Sequence, residues 1–292
     1  MTDFMLSAFA DEIDSSLSTQ MDVLKKYGIN YIEMRGVNGK NITEYSIEQV
    51  REIRNELDKN NFAISAIASP IGKISINESF EQHFELFIHT LDIAEILKAK
   101  YIRLFSFYID DNADYDLFRN EIVERIKSMV KAAEARKITL LHENEKGIYG
   151  DTPERCLDLL ETIGSSYFRA TFDPANFIQC GIEAYPYAYR ILKNHIDYFH
   201  VKDAVRGEKS NVPTGLGDGK IKEILQELSR DKSKIFVSLE PHLSVFEGFH
   251  ELEQNIDRNQ SISNDGIEKF DIAYNALDKI INGIKEEVYI NG

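Results

Sequence analysis

Short runs of β-branched and aromatic residues alternate along this chain with longer segments whose apolar residues return at helical spacing, and the alternation repeats eight times. The runs that read as strands are Phe4 to Phe9, Tyr31 to Met34, Phe62 to Ala68, Tyr101 to Phe105, Thr139 to Glu143, Phe168 to Phe172, Tyr198 to Val201 and Ile235 to Leu239. The segments between them carry helix signals. Ser46 precedes Val50, Ile53 and Leu57 at helical spacing, and Thr152 is followed by Pro153 and Glu154, the order favoured at a helix N-terminus. Phe80 to Leu97 and Tyr115 to Arg136 are long enough to cross the flank of a barrel. Gly28 stands just past the first helix, where a left-handed cap is needed.

Strict alternation of strand and helix predicts a parallel sheet with right-handed crossovers, and eight such units close into a (β/α)8 barrel of the α/β class. A doubly wound open sheet would carry a glycine-rich phosphate loop after its first strand. Here that position reads Ala8-Phe9-Ala10-Asp11-Glu12. The rhythm breaks from Ser244 to Glu268, a polar stretch read as a long βα loop or small insertion after the eighth strand. Residues 1–292 are therefore expected to form a single barrel domain, a length that such barrels use.

Charge and cysteine usage narrow the partners. A formal net charge of -15 repels phosphate backbones and anionic lipid, so neither nucleic acid nor membrane is an expected partner. Met1 to Asp14 has no basic segment leading into an apolar run, and no window approaches about 18 uninterrupted apolar residues. A soluble, cytoplasmic protein is expected. Cys156 and Cys180 are too few for a disulfide framework and too far apart for a metal or redox motif, and read as ordinary thiols.

In a barrel of this kind the active site forms at the C-terminal ends of the strands. Four late strands end in residues that ligate or transfer protons: Leu140-Leu141-His142-Glu143-Asn144-Glu145, Thr171-Phe172-Asp173-Pro174-Ala175-Asn176, Tyr198-Phe199-His200-Val201-Lys202-Asp203 and Ser238-Leu239-Glu240-Pro241-His242. Adjacent strand ends bring Glu143, Asp173, His200 and Glu240 toward one point. Three carboxylates and an imidazole are a mostly hard ligand set suited to one divalent ion, Mn²⁺ or Mg²⁺ first, with Co²⁺ or Zn²⁺ also compatible. No organic cofactor is expected. Any one of these residues alone is as well explained by solvation or helix capping; four on consecutive strand ends are not.

These motifs resemble the xylose isomerase-like barrel superfamily, in particular the sugar phosphate isomerase/epimerase group that includes ketose 3-epimerases and endonuclease IV-type enzymes. The likeness runs from Ser7-Ala8-Phe9-Ala10-Asp11-Glu12-Ile13 and Tyr31-Ile32-Glu33-Met34-Arg35-Gly36 to Ser238-Leu239-Glu240. The resemblance implies that Glu143, Asp173, His200 and Glu240 are the metal ligands. It also implies that Glu143 and Glu240 face the substrate from opposite sides as the acid/base pair, and that the protein assembles as a dimer or tetramer. A metal on a substrate carbonyl and adjacent hydroxyl would stabilise the enediolate formed when the intervening proton is removed. Arg206 lies where some ketose epimerases of the family have a substrate-binding arginine. Asn176 and Tyr149 stand where relatives have a histidine and a second acidic residue, two departures from the epimerase pattern.

Further residues carry paired readings. Glu33 either meets substrate hydroxyls or pairs with Arg35. Arg103 should point into the barrel with Tyr101 and Phe105 and then needs a partner, Glu33 or Glu143, or a substrate anion. Lys202 either rims the site or is a solvated loop residue, and Arg206 has the same alternative. Asn176 is a candidate substrate contact, Glu145 and His242 are candidates for orienting the ligands, and His142 should point outward as a packed histidine. Gly215-Leu216-Gly217-Asp218-Gly219 lacks the Lys-Ser/Thr of a P-loop and reads as a flexible loop before a helix from Ile221.

The leading expectation is an isomerase or epimerase of a sugar or sugar derivative. The alternative is a metal-dependent dehydratase of a keto-inositol or keto-sugar. An abasic-site endonuclease is disfavoured by the acidic charge and by only 7 histidines, and a non-catalytic sugar-binding barrel by the four intact ligands.

Overall fold

A computed structural model of the chain describes residues 3–110, 112–208, 210–244 and 265–291. Eight parallel strands form a closed barrel: β1 (Asp3–Ala8), β2 (Tyr31–Met34), β3 (Ala63–Ala68), β4 (Tyr101–Leu104), β5 (Thr139–Glu143), β6 (Phe168–Phe172), β7 (Ile196–Val201) and β8 (Lys234–Leu239). Each strand pairs with its neighbours in sequence, and β1 pairs with β8 over its whole length to close the ring. The chain is thus the (β/α)8 barrel expected from its periodicity.

The helices on the flank are α1 (Leu17–Lys26), α2 (Ile47–Lys59), α3 (Phe80–Leu97), α4 (Arg119–Ala135), α5 (Pro153–Ile163), α6 (Pro174–Gln179), α7 (Tyr189–Leu192), α8 (Ile221–Asp231) and α9 (Gly266–Asn291). Ser46 begins α2 with a capping box completed by Gln49, Thr152 accepts from the Arg155 N–H with Pro153 in the first turn of α5, and Gly28 follows α1 at φ +67°. The helix expected over Tyr115 to Arg136 divides. Asp114 accepts from the Asp116 N–H and closes a separate 3₁₀ turn, Tyr115–Leu117, before α4 starts. Of the polar stretch from Ser244 to Glu268, residues 245–264 lie outside those described, and its end from Gly266 is the first turn of α9.

Side chains alternate along each strand, so one set faces the flanking helices and the other the barrel axis. Ala66, Leu141 and Tyr198 form an interior layer with Tyr101 and Phe236 packed on it. Tyr198 donates to Ser65 at 2.8 Å, and Ser65 meets Ser7 at 2.6 Å, so the hydroxyls in this layer satisfy one another. Two residues further along three of these strands, at the C-terminal end, the inward positions become ionisable: His200 above Tyr198, Glu143 above Leu141 and Arg103 above Tyr101. Among the described residues no helix is long and apolar enough to cross a membrane.

Candidate metal centre

The carboxylates of Glu143, Asp173 and Glu240 converge with the His200 imidazole at the mouth of the barrel; one ligand atom from each lies within 4.8 Å of all the others. All four residues are buried. His200 Nδ1 faces the three acids, at 3.0 Å from Glu143 Oε1, 3.3 Å from Glu240 Oε2 and 4.0 Å from Asp173 Oδ2. Its Nε2 points the other way, to Glu33 Oε1 at 3.1 Å.

Neighbours hold each acid in place. Asn144 clamps the turn after β6 in both directions: its Nδ2 donates to the Asp173 carbonyl at 2.9 Å, and its Oδ1 accepts from the Asp173 N–H at 3.0 Å. Asp173 in turn caps α6 by accepting from the Asn176 N–H at 2.9 Å. Asn176 Nδ2 donates to the Asn144 carbonyl at 2.9 Å and to Glu143 Oε1 at 3.4 Å. Arg103 points inward as expected, with Nε 3.0 Å from Glu143 Oε2 and Nη1 donating to the Ser69 carbonyl at 2.9 Å. Arg35 plays the same part for Glu240, donating from Nη1 to Oε1 at 3.0 Å while Asp11 accepts from Nε at 2.7 Å. Each of the two glutamates therefore rests one oxygen on a guanidinium and turns the other to the cluster.

Three converging acids create a strong demand for positive charge. Burial raises Glu143, but His200 and Arg103 overcome it and bring its pKa down to about 2. Burial likewise opposes ionisation of Glu240, and Lys202 with His200 holds it well below the carboxylate range. Asp173 goes the other way: burial raises it to about 7, against the pull of Lys202. His200 is penalised by burial yet held well above its usual range by Glu33 and Glu143. The acids of the cluster are thus balanced by protons, by Arg103 and Arg35, and by Lys202, whose Nζ lies 2.9 Å from Asp173 Oδ2 and 3.6 Å from Glu240 Oε2. Those two oxygens are buried and accept no well-aligned hydrogen bond. Inward-facing acceptors of this kind, with an imidazole nitrogen between them, fit a divalent ion.

Of the other expected site residues, all but Arg206 lie at or against the cluster. Glu33 is fully buried behind His200, with Oε1 3.1 Å from His200 Nε2. Asn176 is buried among the ligands and braces Glu143. Arg206 is exposed; its Nη1 donates to the Gly181 carbonyl at 3.1 Å and its N–H to Asp218, so it is not brought to the cluster. Lys202 is buried in the site. His242 lies 3.4 Å from Glu240 Oε1, and its N–H donates to Glu12 Oε2 at 2.8 Å. Glu145 lines the pocket and pairs with Lys73 at 3.3 Å. His142 faces outward against Ser106 and Phe168, and burial lowers its pKa to about 4.

The structure adds Glu12, Arg35, Lys73 and Asn144 to the expected site residues. Glu12 and Arg35 are charged residues just past the first and second strands, the same strand-end signal that the candidate ligands carry. Lys73 has none beyond Gly72 before it. Gly72 at φ +86° passes so close to β4 that a Cβ would lie 2.1 Å from the Phe105 carbonyl oxygen, and this contact sets Lys73 over the Phe105 ring at 4.4 Å. The glycine loop is pinned by Asp203, whose carboxylate accepts from the N–H groups of Gly215, Gly217 and Gly219 at 2.8, 3.1 and 3.0 Å.

Solved structures share this fold. A probable 3-DHS dehydratase, AsbF, involved in petrobactin synthesis in Bacillus anthracis, is 20% identical with TM-score 0.69, over 95% of this chain and 98% of that one. An L-ribulose 3-epimerase is 16% identical with TM-score 0.73, over 100% and 98%. A xylose isomerase-like TIM barrel protein from Mycobacterium smegmatis, in complex with magnesium, is 13% identical with TM-score 0.67, over 96% and 98%. No curated protein matches the sequence. At these identities the structures establish the fold alone. The family model described as xylose isomerase-like TIM barrel matches residues 21–262, and the chain belongs to that family.

Proposed function

We propose that the protein is an enzyme, a divalent-metal-dependent isomerase or epimerase that removes a proton beside the carbonyl of a sugar or sugar derivative. The observation that carries this reading is the convergence of Glu143, Asp173, His200 and Glu240 within 4.8 Å at the ends of four adjacent strands. Mn²⁺ and Mg²⁺ suit such a donor set best, and Co²⁺ or Zn²⁺ is also compatible. When bound, the ion supplies the positive charge that stabilises the oxyanion character of the substrate as the proton leaves.

Glu143 and Glu240 are the acid/base pair of this reading. Both are ionised and so able to accept a proton, and Arg103 and Arg35 fix their orientation. Their depressed pKa values make them weak bases, so they need a C–H already acidified by its carbonyl. One takes the proton, and the other returns one to the opposite face or to the neighbouring atom. Asn144 and Asn176 keep Glu143 and Asp173 in register. Dehydration is the second reading, favoured by the fold shared with a probable dehydratase: the same proton removal is followed by expulsion of a hydroxyl one carbon further on.

The test has two stages. Metal analysis of protein purified without an affinity tag should find about one equivalent of a divalent ion, lost in Asp173→Ala and His200→Ala. Keto-sugars turned over in D₂O should then gain deuterium at the reacting carbon, with loss of water only in a dehydratase. A wild type that stays empty in excess Mn²⁺ and Mg²⁺, or full exchange by Glu143→Gln and Glu240→Gln, would sink the reading.

A further inference from the structure

Three cations turn into the pocket above the ligand cluster: Lys73 from the loop after β3, Arg103 from the end of β4, and Lys202 from just past β7. Arg103 is answered by Glu143 at 3.0 Å and Lys73 by Glu145 at 3.3 Å. Lys202 differs, because its buried Nζ meets the oxygens of Asp173 and Glu240 that face His200 Nδ1, whereas Arg103 holds the oxygen of Glu143 turned away from it. An ion drawn to those acids competes with the ammonium for the same lone pairs. Lys202 is then a buried charge at the pocket with no carboxylate of its own, and a buried charge requires a counter-charge.

A neutral sugar has only hydroxyls to offer. The Lys202 ammonium carries one charge, which a carboxylate matches and a phosphate dianion exceeds. The glycine loop offers no phosphate cradle, since the N–H groups of Gly215, Gly217 and Gly219 already bind Asp203. The Phe105 ring, 4.4 Å from Lys73 Nζ and 4.5 Å from the Arg103 guanidinium, keeps water from one side of the subsite and so strengthens ion pairing there. We propose that the substrate is a carboxylated keto-sugar or keto-polyol whose carboxylate is bound by Lys202, with Lys73 and Arg103 alongside. This deepens the metal-centre reading and rests on it.

Fructuronate, fructose and fructose 6-phosphate are ketoses that differ at carbon 6 and serve as matched probes. Their dissociation constants are to be measured by calorimetry on manganese-loaded wild type, Lys202→Met and Lys73→Gln, with manganese content determined on each sample. Fructuronate should bind wild type about tenfold or more tighter than the other two, the return expected of a buried charge-assisted hydrogen bond. Lys202→Met should abolish the preference, Lys73→Gln should reduce it, and both variants should still take up manganese, which shows that they fold. Equal affinities, no binding of fructuronate, tighter binding of the phosphate, or a preference that survives Lys202→Met overturns the carboxylate subsite. A wild type that takes no manganese overturns the metal-centre reading itself, which separates the two failures.

Discussion

His200 has two nitrogens with different neighbours, and the difference sets its role. Glu33 Oε1 accepts from Nε2 at 3.1 Å, which leaves Nδ1 for the three acids. A carboxylate behind a ligating histidine fixes its ring orientation and raises its basicity. Glu33→Gln is therefore expected to weaken manganese binding by about 10- to 100-fold, with the barrel still folded. Calorimetric titration with the ion measures this directly, and an unchanged affinity would assign Glu33 to packing alone.

At the scale of the elements, the segment from Asp203 to Gly219 shows backbone chemistry holding a loop at the edge of the site. Residues Asp203–Ala204 and Asn211–Val212 pair as a short antiparallel ribbon, and Asp203 then gathers the three glycine N–H groups. A Cβ at Gly217 would lie 2.3 Å from Asp203 Oδ1 and 2.6 Å from the Ala204 carbonyl oxygen, so the ribbon must open to admit it. Gly217→Ala should cost about 1–3 kcal/mol in urea unfolding, in the range of buried overpacking. Gly283, inside α9 with nothing within 4 Å of its would-be Cβ, is the contrast. Gly283→Ala should stabilise by about 0.5–1 kcal/mol through helix propensity. Equal effects at the two sites would remove the steric argument.

For the molecule as a whole, the ion would link β5 to β8 and so contribute to stability as well as chemistry. At about a hundredfold excess over its dissociation constant it should add about 2.7 kcal/mol, roughly 5 °C in melting temperature, and the gain should vanish in Asp173→Ala. At fixed ion concentration the gain should also grow with pH. Asp173, raised from 3.8 to about 7, stabilises the metal-free fold through its bound proton, and that contribution falls away as pH climbs from about 4 through 7. His200, held above its usual range, likewise keeps a proton that the ion must displace. Melting curves with and without Mn²⁺ at pH 6 and pH 8 should show the larger shift at pH 8. A shift independent of pH would mean that the ion displaces no proton.

The barrel was legible in the sequence because strand and helix periods are local properties. Eight short β-branched and aromatic runs, separated by helical segments, admit few closed arrangements, and the observed strands differ from the expected ones by at most two residues at an end. The proposed ligands were legible for the same reason, since strand ends fall at one rim. Sequence could not decide which way charges pair across the barrel. Glu33 lies two residues before Arg35, yet its carboxylate meets His200 while Arg35 spans to Asp11 and Glu240. Asn176 braces Glu143, and Lys73 reaches the pocket from a loop with no chemical signature. Pairings of this kind are set by side-chain reach and burial between segments up to about two hundred residues apart, where electrostatic demand is decided by the full set of neighbours. Local pattern therefore determined the barrel and the rim from which the candidate ligands project; the direction of each charge, and the one left for a substrate to answer, came only from closing the ring.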